Sequence, residues 1–269
     1  MVLFGASYYL LMPAAGRAIV NTFKLSPDNT IAVSLVKWFL TFIPILVFFC
    51  YGCFIQKRPL SSFGFSLTRV NAAKDYGAGF LIGILMIAAV ILLEVMFGFI
   101  HFTGVNGASV LPLVLLFLCE FLIQGMAEEI EFRGFFMISI ARRYPVWLAV
   151  ITNPMFFGIL HMFNKGTTVF STANTIMVGI LFSIIMLKRD SIWMAGAMHS
   201  TWNFGQSNLF AQRVSGSNLT PSLFEMTTPT GIDMISGGDY GVEAGVFTTV
   251  ILIIMIILAF RMKPVRKSA

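Results

Sequence analysis

The stretch LPLVLLFLCEFLIQGMAEEIEFRGFFMISIA, residues 111–141, decides how the rest of the chain is read. It is apolar for long enough to cross a hydrocarbon layer of ~30 Å, which takes about 20 helical residues. Inside it Gln124, Glu128, Glu129, Glu131 and Arg133 interrupt the run, which resumes at Phe135, Phe136, Met137 and Ile138. An ionisable side chain at bilayer depth is disfavoured by at least ~2.5 kcal/mol and turns toward a bundle interior. The stretch therefore predicts a membrane helix with a polar, chemically equipped face directed at neighbouring helices.

Outward from this stretch, the composition says the same of the whole chain. Of 269 residues 57% are hydrophobic and only 11% charged, against roughly 25% charged in a soluble domain. With 28 Phe and 16 Met, there is more apolar side chain than one water-facing core encloses. A soluble globular protein is excluded. Hydropathy places eight candidate helices at about 2–23, 31–54, 76–100, 110–141, 145–162, 169–187, 191–208 and 243–261. The expected fold is all-α: one polytopic membrane domain over 1–269, a bundle of about eight transmembrane helices. Its motif-bearing core spans about 110–208 and a non-cytoplasmic loop about 209–242. That loop also carries Leu219, Leu223, Phe224, Met226, Ile232, Met234 and Ile235. It either dips into the membrane interface or caps the bundle. The first apolar stretch reads as a span, not a signal peptide, because no cationic segment precedes it.

The formal charge of +6 records topology, not nucleic-acid binding. Lys57, Arg58, Arg69 and Lys74 follow the second span, Arg142 and Arg143 the fourth, Lys188 and Arg189 the sixth. Arg261, Lys263, Arg266 and Lys267 follow the eighth, while the opposite loops hold Lys24, Lys165 and Arg213. This asymmetry predicts a multi-pass membrane protein with both termini cytoplasmic. Cys50, Cys53 and Cys119 lie in apolar stretches and read as packing residues. With no internal repeat or paired broken helices, a transporter is disfavoured.

The polar residues at depth form clusters. Glu128 and Glu129 point about 100° apart on a helix, so they serve different ends. Glu129 and Arg133 have the i, i+4 spacing and order of an intrahelical ion pair. Glu128 is then the free carboxylate, suited to general-base work. Phe157 and His161 share one helix face, as do His199 and Asn203. Measured from the turn after residue 142, Glu128 and His161 lie about 21 and 25 Å deep at ~1.5 Å per residue. His199 reaches only about 12 Å, so its helix must tilt or start deeper. Lys37, Glu94, Glu120, Asn153 and Asn174 read as structural, with a Lys37–Glu94 pair one arrangement. His101 falls in a loop and gets no role.

Three motifs now stand in order: E-E-x-x-x-R at Glu128, Glu129 and Arg133; F-x-x-x-H at Phe157 and His161; H-x-x-x-N at His199 and Asn203. On successive membrane helices they resemble the CAAX protease and bacteriocin-processing family, type II CAAX prenyl endopeptidases and bacteriocin self-immunity proteins included. The resemblance implies an intramembrane glutamate-type endopeptidase acting on small hydrophobic or membrane-associated peptides. By it Glu128 activates a water, His161 holds or polarises that water, and His199 and Asn203 donate to the oxyanion. Glu129 and Arg133 shape the catalytic helix, and Phe157 orients His161. The alternative is a non-catalytic bacteriocin immunity or regulatory protein that binds its partner in the same cavity. Two His and a Glu are an accepted zinc set, but there is no H-E-x-x-H and Asn203 is a poor ligand. The resemblance implies no metal or other cofactor. Expected partners are a peptide or membrane-protein substrate and the lipid bilayer, with no nucleic acid; no oligomeric state is implied.

Overall fold

The structure is a computed structural model that describes residues 2–26, 30–65, 71–218, 221–229, 231 and 233–265. Leu219, Ile232, Arg69, Arg266 and Lys267, used in the sequence reading, lie outside the described residues. Among the described residues a helix stands near each of the eight expected places, and four of these helices are of membrane-crossing length. Helix α1 covers residues 2–22 and contains a π-helical stretch at Ala6–Leu11. Helix α2, Ile31–Ile55, is interrupted at residues 40–41. The cause is Pro44, which has no N–H for the Leu40 carbonyl; that carbonyl takes the Ile43 N–H instead, at 2.9 Å. Helix α3, Ala72–Met96, starts at Asn71, whose side chain accepts the Lys74 N–H at 3.0 Å.

Helix α4, Ala108–Ala141, is α-helical to Glu129 and π-helical over Ile130–Met137. Helix α5, Val146–His161, carries Pro154 in its interior. Helix α6, Val169–Arg189, opens on a capping box of Thr168 and Ser171 and stops at Asp190, in the left-handed conformation. Helix α7, Trp193–Phe204, continues as a π turn to Leu209, and α8 is Val246–Arg261. Four helices, α2, α3, α4 and α6, are long and apolar enough to cross a membrane; α5 and α8 are apolar but shorter.

The fold is mostly helical as expected, with one short two-stranded ribbon beside the helices among the described residues. Strand β1, His101–Val105, pairs antiparallel with β2, Phe224–Thr227, so His101 sits on an exposed strand. The ribbon ties the α3–α4 connection to the long loop after α7, with Asn106 Nδ2 donating to the Ser222 carbonyl at 3.0 Å. That loop caps the bundle: Val214 packs with Phe121 and Phe204, and Tyr240 and Val242 are buried.

Helix α7 is the centre of the molecule, and every residue from Met194 to Phe204 is buried. It lies between α3 and α4, which approach it through glycine. A Cβ on Gly125 would stand 2.5 Å from the Ser200 nitrogen, and one on Gly83 would meet the Met198 carbonyl at the same distance. Close backbone approach of this kind is how membrane helices pack where no hydrophobic drive separates them from lipid. At the start of α7, Ile192 lies beside Gly134 of α4: a Cβ there would be 3.5 Å from the Ile192 side chain. Gly134 is seven residues short of the end of α4, so α7 begins about 10 Å deeper than α4 ends at ~1.5 Å per residue. The helix starts deeper, which closes the depth gap left by the sequence.

Candidate active site

The π-helical turn of α4 begins immediately after Glu129, and widened turns of this type recur at functional sites. Glu129 and Arg133 form the expected ion pair, Arg133 donating to Glu129 Oε1 at 2.7 Å with both side chains fully buried. Arg133 also donates to the Gly179 carbonyl of α6 at 3.2 Å. Its guanidinium carbon lies 4.9 Å from the Phe157 ring centre and 5.5 Å from that of Phe182. Aromatic faces thus complete the cation's surroundings where water is absent.

The same Glu129 oxygen meets Nδ1 of His199 at 2.9 Å. A carboxylate paired with a guanidinium only accepts, so Nδ1 carries the proton. Nε2 of His199 then faces Glu128, 3.7 Å from Oε2. The ring is stacked on Phe182 at 5.4 Å and met edge-on by Phe157 at 6.2 Å. The proton on Nδ1 and the plane of the ring are both fixed.

Glu128 accepts from Gln124 Nε2 at 2.6 Å through Oε1, while Oε2 is buried with no hydrogen-bond partner. Gln124 in turn accepts from Asn203 Nδ2 at 3.0 Å. One side chain therefore links the carboxylate of α4 to the amide of α7. On α5, Nδ1 of His161 lies 2.8 Å from the Phe157 carbonyl. A carbonyl only accepts, so this nitrogen donates and Nε2 keeps its lone pair. Phe157 touches both histidines, its ring centre 4.3 Å from that of His161.

Glu128, His161, His199, Asn203 and Phe157 line one cavity of about 360 Å³, with Gln124, Phe182 and Trp202 also on its wall. Glu129 and Arg133 stand behind it. The capping loop contributes Val214, Ser215, Ser217 and Glu243 to its wall. Glu243 is held by Trp202 Nε1 at 3.2 Å and by the Ser215 N–H and hydroxyl at 2.8 and 2.9 Å. Among the described residues no group of three or more His, Cys, Asp or Glu side chains is arranged to hold a metal ion.

The sequence reading gave Glu129 a role with Arg133 alone, and the structure adds the orientation of His199. It singled out Gln124 without a role, since the bridge to Asn203 depends on the register of α7 against α4. Phe182 was missed, having only its place on an apolar helix to mark it. The Lys37–Glu94 pair does not form: Lys37 lines the cavity, and both Glu94 oxygens are buried without hydrogen-bond partners. Asn153 and Asn174 are structural as expected. The first donates to Ser183 at 3.3 Å; the second donates to the Glu243 and Gly245 carbonyls and accepts from Thr249, joining α6 to α8.

No curated protein matches the chain. Residues 109–205 match the family described as type II CAAX prenyl endopeptidase Rce1-like, an interval that contains all three motifs. With four apolar helices of crossing length among the described residues, the chain is a membrane protein whose 109–205 segment is similar to the type II CAAX prenyl endopeptidase Rce1-like family.

Proposed function

We propose that the chain is an intramembrane endopeptidase that hydrolyses a peptide bond of a small hydrophobic or membrane-associated peptide with a water activated by Glu128. The observation that carries this is the Glu128 carboxylate: one oxygen is fixed by Gln124, and the other has no partner while facing His199 across 3.7 Å. In this reading a water sits between Glu128 and His161. His161 Nε2 accepts one of its hydrogen bonds, and Glu128 takes its proton as the oxygen attacks the peptide carbonyl carbon. The carbonyl oxygen becomes an oxyanion and takes the second Nδ2 hydrogen of Asn203 and the Nε2 hydrogen of His199. For Nε2 to donate while Nδ1 bonds Glu129, the ring must carry both protons, and two carboxylates flank it for that state. Collapse of the intermediate breaks the C–N bond, and Glu128 returns the proton to the leaving amine.

In the same reading all eight helices span the bilayer as one domain, with both termini on the cytoplasmic side of a bacterial cell membrane. The test is cleavage of a peptide library by the purified protein in detergent. Glu128→Gln is expected to lower turnover by about 10²–10⁴-fold, the usual worth of a general base. Unchanged cleavage by this variant would remove Glu128 from the mechanism.

A second reading has its own support. Gln124 bridges Glu128 and Asn203, an interhelical hydrogen-bond chain of the kind that would hold the bundle together in an immunity or regulatory protein without turnover. Protection of cells by a Glu128→Ala, His161→Ala double variant at wild-type abundance would favour it.

A further inference from the structure

On the side of α7 away from the catalytic cavity, α3 and α8 stand apart and leave a groove of about 410 Å³. Its walls include Ile82 and Leu85 of α3 and Ile254 and Leu258 of α8, and its floor includes Met194 and Met198 of α7. Leu85, Ile254 and Leu258 are exposed while Met194 and Met198 are buried, so the groove opens sideways where lipid lies. All of its lining residues are apolar. The groove shares no residue with the catalytic cavity.

Both walls end in a cation at the same end. Lys74 is eleven residues from Leu85, which on a helix brings it to within about 20° of the same face. Arg261 is seven residues from Ile254, again within about 20° of it. Both are exposed, as is Lys263 one residue beyond the groove-lining Met262. The two ends are joined through α6: Arg189 binds Asp75 next to Lys74, and Lys188 Nζ donates to the Phe260 carbonyl next to Arg261. Around the mouth, the cations Lys74, Lys188, Arg189, Arg261 and Lys263 outnumber the carboxylates Asp75 and Asp190.

We propose that this groove is a binding site for one anionic phospholipid. An acyl chain fills the space over Met194 and Met198, and the head-group phosphate is held by Lys74, Arg261 and Lys263. The charge complementarity of the mouth selects the anion, since each basic residue near a membrane surface favours an anionic lipid by about fivefold. The site does not depend on proteolysis.

The experiment is native mass spectrometry of the full chain, purified in detergent and incubated with equimolar phosphatidylglycerol and phosphatidylcholine of identical acyl chains. The expected result is one retained lipid per chain, with phosphatidylglycerol favoured by at least about tenfold. Lys74→Gln and Arg261→Gln, at exposed positions outside the packed core, are each expected to cut that preference about fivefold. Ala89→Trp, on the groove wall, is expected to reduce retention of both lipids. Equal retention of the two lipids by the wild type would overturn the proposal. So would a preference left untouched by the two charge variants, or an unchanged phosphatidylglycerol adduct in a folded Ala89→Trp protein.

Discussion

Glu128 and Glu129 are chemically identical neighbours, and their environments separate them. Glu129 accepts from Arg133 and His199 through one oxygen and has no exposure, whereas Glu128 borders the cavity. Replacing Glu129 by Gln leaves the Arg133 charge buried without its counter-ion, a situation that costs about 3–5 kcal/mol. A clear fall in melting temperature is expected for this variant, together with lost turnover as His199 loses its charged partner. Glu128→Gln is expected to lose turnover at near wild-type melting temperature, because its hydrogen bond comes from a neutral amide that Gln also satisfies and no buried guanidinium depends on it. A thermal-unfolding series on the two purified variants checks the contrast, and equal melting temperatures would contradict it. The i, i+4 spacing made Glu129–Arg133 legible in the sequence. The contact from Glu129 to His199 spans seventy positions, and no local spacing announces it.

At the scale of elements, the helices were legible because lipid demands long apolar segments, and basic residues mark each expected cytoplasmic end; the caps at Asn71 and Thr168 were not read, and α3 starts four residues before its expected place. The π-helical turn after Glu129 and the β1–β2 ribbon were not legible either. A widened turn leaves no compositional trace, and β1 is five residues whose partner lies more than a hundred positions away. The α4–α7 spacing follows from Gly125, where a Cβ would stand 2.5 Å from the Ser200 nitrogen. Gly125→Val is therefore expected to push α7 from α4 and to separate His199 and Asn203 from Glu128 and Gln124. The measurement is kcat with binding of an uncleaved peptide: a fall of on the order of 10²-fold in kcat, comparable to losing an oxyanion donor, with binding largely retained. Full activity in Gly125→Val would show that this helix contact does not set the catalytic geometry.

At the scale of the molecule, charge and hydropathy agree on one arrangement. Lys57, Arg58, Arg142, Arg143 and Lys263 follow an even-numbered helix, Lys188, Arg189 and Arg261 lie in the last turn of one, and Lys74 lies in the first turn of α3. The bridges from Arg189 to Asp75 and from Lys188 to Phe260 put the ends of α3, α6 and α8 on one face. Reporter fusions at the C-terminus and after Lys165 are expected to give opposite signals, with the C-terminal fusion cytoplasmic. Matching signals would break the eight-crossing reading. The capping loop, held through Glu243 and the ribbon, lines the cavity with Val214, Ser215 and Ser217.

The burial of α7 from Met194 to Phe204 bears on how the chain is made. Its twelve residues include His199, Ser200, Thr201 and Asn203, and it is not among the helices long and apolar enough to cross a membrane alone. Such a segment gains little by leaving the translocation channel for open lipid. It gains much by entering a slot already lined by the glycines of α3 and the polar face of α4, both synthesised earlier. α8, made last, then closes over α6 and one edge of α3. Biogenesis and catalysis thus draw on the same contacts: the surfaces that admit α7 to the bilayer are the ones that bring His199 and Asn203 to Glu128 and Gln124.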